Sequence, residues 1–117
     1  MFAEGEIIQA MNSIPDSVGF ITEGSVGMFV RTDDGRQLDL GDLGVGDFLG
    51  ATALTRQRNI TGAVALTDTS IVAVPRKTMD AVVQQDPRLA RRIGDSIDLR
   101  RQRAQEALTE AAQQGVR

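Results

Sequence analysis

An all-β barrel or roll followed by α-helices is the fold class that this sequence predicts, and three observations carry it. Short β-type runs with turn signals between them fill the first two-thirds of the 117 residues, which is the spacing of an all-β unit. After Val74-Pro75 the apolar period lengthens from two residues to about 3.6, the mark of helices. A chain of this length buries one core, so a single domain is expected.

The candidate strands, in order, are GEIIQA, GFITEG, SVGMFVRT, RQLDLGDL, TGAVALTD and SIVAVPR. In the third, Val26, Met28 and Val30 alternate with Gly27, Phe29 and Arg31, the pattern of a half-buried strand. Asp33-Asp34-Gly35 then supplies a hairpin turn, with Gly35 free to take positive φ. On the return strand Leu38 and Leu40 alternate with Gln37 and Asp39. Glu23-Gly24-Ser25 and the stretch from Asp42 to Asp47 read as turns, and Asn12 to Asp16 as a longer loop.

Two helices follow. Thr78 is the expected N-cap of a short one ending at Gln85 that buries Met79, Val82 and Val83. Asp86 is the expected N-cap of the second, with Pro87 at its first position, where a missing N–H costs nothing. Leu89, Ile93, Ile97, Ala104 and Leu108 fall on one stripe, and the helix is expected to run to about Gln113 and stop at Gly115. Gly94 in its middle costs about 1 kcal/mol relative to alanine, which suggests close packing or a bend.

Composition removes several chemistries. The chain has neither cysteine nor histidine, which excludes thiol and imidazole catalysis and the usual zinc ligands. No metal site and no catalytic residue is expected. Asp33, Asp34, Asp39 and Asp42 lie on turns and strand faces where solvation accounts for them, so the chain is not read as an enzyme. No run approaches the roughly 20 apolar residues that cross a bilayer, and Met1-Phe2-Ala3-Glu4 does not open like a secretory signal. A cytoplasmic setting is expected.

The net charge of −3 argues against a general nucleic-acid binder. Residues 1–85 carry six basic side chains against eleven acids, and residues 86–117 carry seven arginines against five acids. With no aromatic residue in that tail to stack on bases, its arginines read as a solvated helical face. Direct contact with nucleic acid or membrane is not expected.

Taken in order, these pieces resemble the cyclic-nucleotide-binding domain family. Phe2, Gly5, Glu6 and Ile7 resemble its opening strand, and Phe20 to Val26 its "FI..G.V" hairpin. Gly35 sits at its usual turn, and Leu43 to Gly50 resembles the "L..GD.FGE" approach to its phosphate-binding cassette. The resemblance implies a double-stranded β-helix, a jelly-roll-like β-roll, over residues 1–77, with a cassette-like segment at 46–66 and a helical lid over 78–117. The family's ligand is a cyclic nucleotide.

In that cassette a short helix offers backbone N–H groups to the cyclic phosphate, and a glycine allows close approach. The glutamate after the glycine holds the ribose, and an arginine about ten residues past it pairs with the phosphate. Here Gly50 keeps the glycine role and Ala53-Leu54 the small-then-apolar helix, but Ala51 stands at the glutamate position. Ile60 stands at the arginine position, followed by Thr61. Each charge-assisted contact is worth about 1.5–3 kcal/mol, so losing both anchors weakens a nucleotide by several powers of ten. No cofactor is therefore expected. The other residues weighed as anion contacts are Thr52, Thr55, Arg56 and Arg58; Arg56 and Arg58 read as exposed loop residues because Ile60 and Val64 are expected to point inward and set the next strand's register.

The resemblance also implies partners. Most members carry a helix before the first strand and an effector elsewhere, so this chain is expected to be one module of a longer protein, a transcription regulator or a channel. The "IDLRRQRAQEAL" run is similar to the ends of bacterial channels that carry this domain at their C-terminus, which would make it the cytosolic part of a membrane protein. Residues 86–113 are the expected contact with the parent protein or the seam of a homodimer or larger oligomer; the alternative to a sensor is a ligand-independent assembly or docking domain.

Overall fold

The computed structural model describes residues 1–115. Strands β1 (Ile7–Gln9), β2 (Ser17–Glu23), β3 (Val26–Arg31), β4 (Gln37–Leu43), β5 (Phe48–Leu49), β6 (Gly62–Ala65) and β7 (Ser70–Pro75) precede helices α1 (Arg76–Gln85) and α2 (Pro87–Gly115). A short 3-10 helix, Ala51–Thr55, interrupts the strands after β5. The strands form two antiparallel sheets, ordered β1-β6-β3-β4 and β5-β2-β7, as a jelly-roll-like β-roll requires. Between them lie Ile21, Val26, Met28, Leu49 and Ala63, flanked by Ile8, Leu40, Leu43 and Ile71.

The β3–β4 hairpin forms as its alternation predicts, with Gly35 at φ 88° in the turn. Its ladder carries a bulge near Gly41, where the partner of Met28 is Gly41 and that of Phe29 is Asp39. Inward and outward faces are less distinct on β3 than its sequence suggests. Phe29 is only 4% exposed although it lies on the face opposite Val26 and Met28. Its ring lies where a side chain on Gly62 would have to be, and the Arg31 guanidinium sits 5.6 Å from the ring centroid. A glycine neighbour and an arginine stem thus bury an aromatic on the outer face.

Several expectations are corrected. The opening strand begins at Ile7, and Phe2 makes only an isolated bridge to Thr69. β4 extends through Leu43, so the turn narrows to Val45-Gly46, and β5 is a two-residue strand that sequence pattern is too short to reveal. Gly62, Ala63 and Ala65 are the buried residues of β6, with Ala63 and Ala65 on one face; Val64 is half-buried on the opposite phase, and Ile60 lies before the strand.

Thr78 does not cap α1. The helix starts three residues earlier, directly from Pro75, and no side chain caps it. Its first N–H groups are partly served by the fold, since Arg76 N–H donates to the Asp16 carbonyl at 3.1 Å. Met79 is buried and Val83 packs against the core, but Val82 is 42% exposed. Asp86 caps α2 as expected, its Oδ1 accepting from the N–H groups of Arg88 and Leu89 at 3.1 and 3.2 Å.

The 29 residues of α2 span about 43 Å, and the helix lies along the roll. Ile93, Ala104 and Ala111 are buried, with Leu89, Ile97 and Leu108 partly so. At the far end Arg36, from the β3–β4 turn, donates to the Ala111 carbonyl at 3.4 Å. The helix runs to Gly115, past the expected end at Gln113. Gly94 is not there for close packing, because a Cβ at that position would meet no atom within 4 Å. Gly94→Ala is therefore expected to raise stability by about 0.5–1 kcal/mol in urea unfolding, through the lower chain entropy of the unfolded state.

Candidate functional site

The cassette-like segment is built around one backbone constraint. β5 pairs with β2 through Gly19–Leu49 and Phe20–Phe48, and the chain must then turn sharply into the 3-10 helix. Gly50 makes that turn at φ 75°, and a Cβ there would lie 2.7 Å from the Ser17 carbonyl oxygen. Both the left-handed backbone and the contact demand glycine. The 3-10 helix is closed at its start by Ala53 N–H donating to the Gly50 carbonyl at 3.0 Å and at its end by Arg56, itself left-handed at φ 54°.

Ala51, Thr52, Ile60 and Thr61 join Gly50 around one small cavity. Ala53 lies behind it, fully buried. Arg56 and Arg58 do not reach the cavity: Arg56 ends the 3-10 helix, and Arg58 donates to the Asn12 carbonyl at 2.8 Å from an exposed position. The Thr52 hydroxyl donates to Asn59 Oδ1 at 2.9 Å, and the Thr55 hydroxyl donates to the Thr52 carbonyl at 3.2 Å. Asn59 is 4% exposed and ties the cassette to the loop before β2, with its Nδ2 on the Ser13 hydroxyl and its backbone bonded to Asn12 and Ser13.

Sequence reasoning missed the opposite wall. Ile97, Arg100 and Arg101 of α2 face the cavity, and Gln9 of β1 closes it, with its Nε2 donating to the Thr61 carbonyl at 2.9 Å. Arg101 Nη2 donates to Gln57 Oε1 at 2.9 Å. The Arg100 guanidinium lies 5.0 Å from the centroid of the Phe48 ring. Burial lowers the pKa of Arg100 from its usual value while the Asp47 charge opposes that shift; the group remains a cation. The available signal was the i, i+3, i+4 spacing of Ile97, Arg100 and Arg101, which puts all three on one helix face.

What remains is a partly open cavity of about 40 Å³. That accommodates a few water molecules. Among the described residues no ionisable acid lines it, so its electrostatic character comes from the two arginines and the backbone N–H groups at the start of the 3-10 helix.

The model of the cyclic nucleotide-binding domain matches residues 1–86, from the opening loop through α1. The chain belongs to the cyclic nucleotide-binding domain family. Solved structures agree on the fold. The catabolite activator protein of Thermus thermophilus superposes with a TM-score of 0.76 at 22% identity, over 95% of this chain and 53% of its own. A transcriptional regulator from Thermotoga maritima gives 0.73 at 16% identity, over 90% of this chain and 83% of its own. The regulatory subunit of a cAMP-independent protein kinase A from Trypanosoma brucei gives 0.70 at 23% identity, over 80% and 35%. This cyclic nucleotide-binding domain thus spans about half of the Thermus protein and about a third of the kinase subunit. No curated protein sequence matches it.

α2, which carries the arginine wall of the cavity, lies beyond the residues that the family model matches. The Gly50 turn is expected to be the least replaceable backbone position of the cassette. Gly50→Ala should destabilise the domain by about 2–3 kcal/mol, read as a lowered urea midpoint with unchanged slope.

Proposed function

We propose that this domain is a regulatory sensor unit of a larger protein, either a transcription regulator or a channel, whose diverged cassette does not hold cyclic AMP or cyclic GMP in the usual manner. One observation supports it above the others: Ala51 and Ile60, which the sequence count puts at the family's ribose-binding glutamate and phosphate-binding arginine, face the same cavity and carry no charge themselves. A ribose would find no carboxylate, and a phosphate would find no cassette arginine. The small volume left by α2 points the same way. That this fold also serves in a kinase subunit described as cAMP-independent agrees with a regulatory role that dispenses with the nucleotide.

Titration calorimetry of the 117-residue chain with each nucleotide tests this reading. The expected result is no heat of binding at ligand concentrations up to about 100 µM, the weakening that loss of both anchors implies. Submicromolar binding of either nucleotide would overturn it.

The second reading is an assembly or docking domain free of ligand control, acting through residues 86–113. The way α2 spends its apolar side chains favours contact with the parent protein over self-pairing. Leu89, Ile93, Ile97, Ala104 and Ala111 turn toward the roll, while Asp95, Leu99, Gln102, Glu106 and Thr109 face outward with one apolar residue among them. A coiled-coil seam needs an apolar residue at nearly every a and d position. Sedimentation velocity is therefore expected to show a monomer at high micromolar concentration; a concentration-dependent dimer abolished by Leu99→Glu would place the seam on α2 instead.

A further inference from the structure

We propose that this domain supplies its own lid latch: Arg100 of α2, stacked on Phe48, holds the helix over the cassette with no ligand bound. The inference rests on the reading of a cassette that has lost its nucleotide anchors, and it names how that site is regulated.

Three contacts on one helix face carry it. Ile97 packs on the buried cluster of Val18, Phe48, Ala51, Met79 and Ile93. One turn on, Arg100 lays its guanidinium over the Phe48 ring at 5.0 Å from the centroid, and Phe48 is only 6% exposed. Its neighbour Arg101 donates to Gln57 just past the end of the 3-10 helix.

The electrostatics suit a permanent contact. A guanidinium over a ring gains most when water is excluded from it. Asp47, adjacent to Phe48, provides the countercharge, and its carboxylate is fixed by the Gly44 N–H, which donates to Asp47 Oδ2 at 2.8 Å. Arginine keeps its charge when partly buried and matches a flat aromatic face, which a lysine ammonium does not. With these side chains in place the cavity retains only about 40 Å³. A ligand of nucleotide size would enter only after Arg100 left Phe48. These contacts are all within the chain, so the closed position of α2 needs no ligand to hold it, and a signal would come from whatever draws α2 away from the roll.

Hydrogen–deuterium exchange on the full chain tests this, comparing wild type with Arg100→Met, Phe48→Leu and the double variant. Arg100→Met keeps an unbranched apolar stem and removes the cation. Amides from Ile97 to Ala104 are expected to exchange about tenfold faster in Arg100→Met, while those of β2 and β3 keep their protection and so report an intact roll. The double variant should exchange in α2 no faster than Phe48→Leu alone, because both single changes remove the same contact. Arg100→Lys should fall between wild type and Arg100→Met, and it serves with that variant if Phe48→Leu does not fold.

Unchanged α2 exchange in Arg100→Met, or single effects that add in the double variant, would overturn the latch. Nucleotide binding in the calorimeter with the Arg100→Met effect intact would overturn the earlier reading of the cassette and leave the latch standing. A wild-type α2 that exchanges freely until cyclic AMP is added would overturn both.

Discussion

The cluster of Val18, Phe48, Ala51, Met79 and Ile93 is the constraint on which the rest of this domain depends. Each residue comes from a different element: β2, β5, the 3-10 helix, α1 and α2. The roll has a second core between its sheets, formed by Ile21, Val26, Met28, Leu49 and Ala63, and that core draws on strand residues alone. The first cluster does not. It makes the position of α2 a property of the cassette, because Ala51 packs in the cluster and lines the cavity at the same time. A displacement of the 3-10 helix is felt by α2 through direct packing, since close-packed interiors transmit small movements.

Gly50 shows how tightly that junction is made. The chain turns there with a left-handed residue directly over the Ser17 carbonyl, and the next residue begins the 3-10 helix. Asn59 then fastens the other end of the loop to Ser13, so both ends of the cassette are tied to the segment that leads into β2. The buried amide is fully partnered, which suits a rigid support. Between these two anchors the loop holding Arg56 and Arg58 lies outside and exposed. Ends tied in this way, with an outward loop between them, keep those two arginines away from the cavity.

Much of this was legible in the sequence, for identifiable reasons. The β3–β4 hairpin announced itself through alternation and Asp33-Asp34-Gly35, and α2 through Asp86-Pro87 and a stripe at helical spacing. Local rules suffice where the determinants are local. β5 was not legible because two residues cannot display a period, and the start of α1 was not because its first N–H is met by Asp16, some sixty residues earlier in the chain. The burial of Phe29 depends on Gly62 across the sheet, a pairing that no local pattern contains. For the site, the glycine of the cassette turn could be read by counting along the sequence, and Gly50 does make that turn. The opposing wall could not, because which face of α2 meets the cavity is fixed only by tertiary packing.

That wall changes the physical character of the cavity. In the family pattern the phosphate-binding arginine sits on the roll itself, so positive charge is present whether or not the lid is closed. Here the roll presents Ile60 to the cavity, and Arg100 and Arg101 arrive with α2. Positive charge and lid position have become one variable. An anion drawn to the cavity would meet a cationic wall only in the closed state, in which the space is already small, and an open state would offer it backbone N–H groups alone. Binding energy for a phosphate-bearing ligand is therefore largest where there is least room for it. The contacts that hold α2 in its closed position all lie within the chain: Arg100 on Phe48, Arg101 on Gln57, and Ile97 on the shared cluster. On the reading proposed above, control of the lid belongs to whatever mechanical or packing force acts on α2.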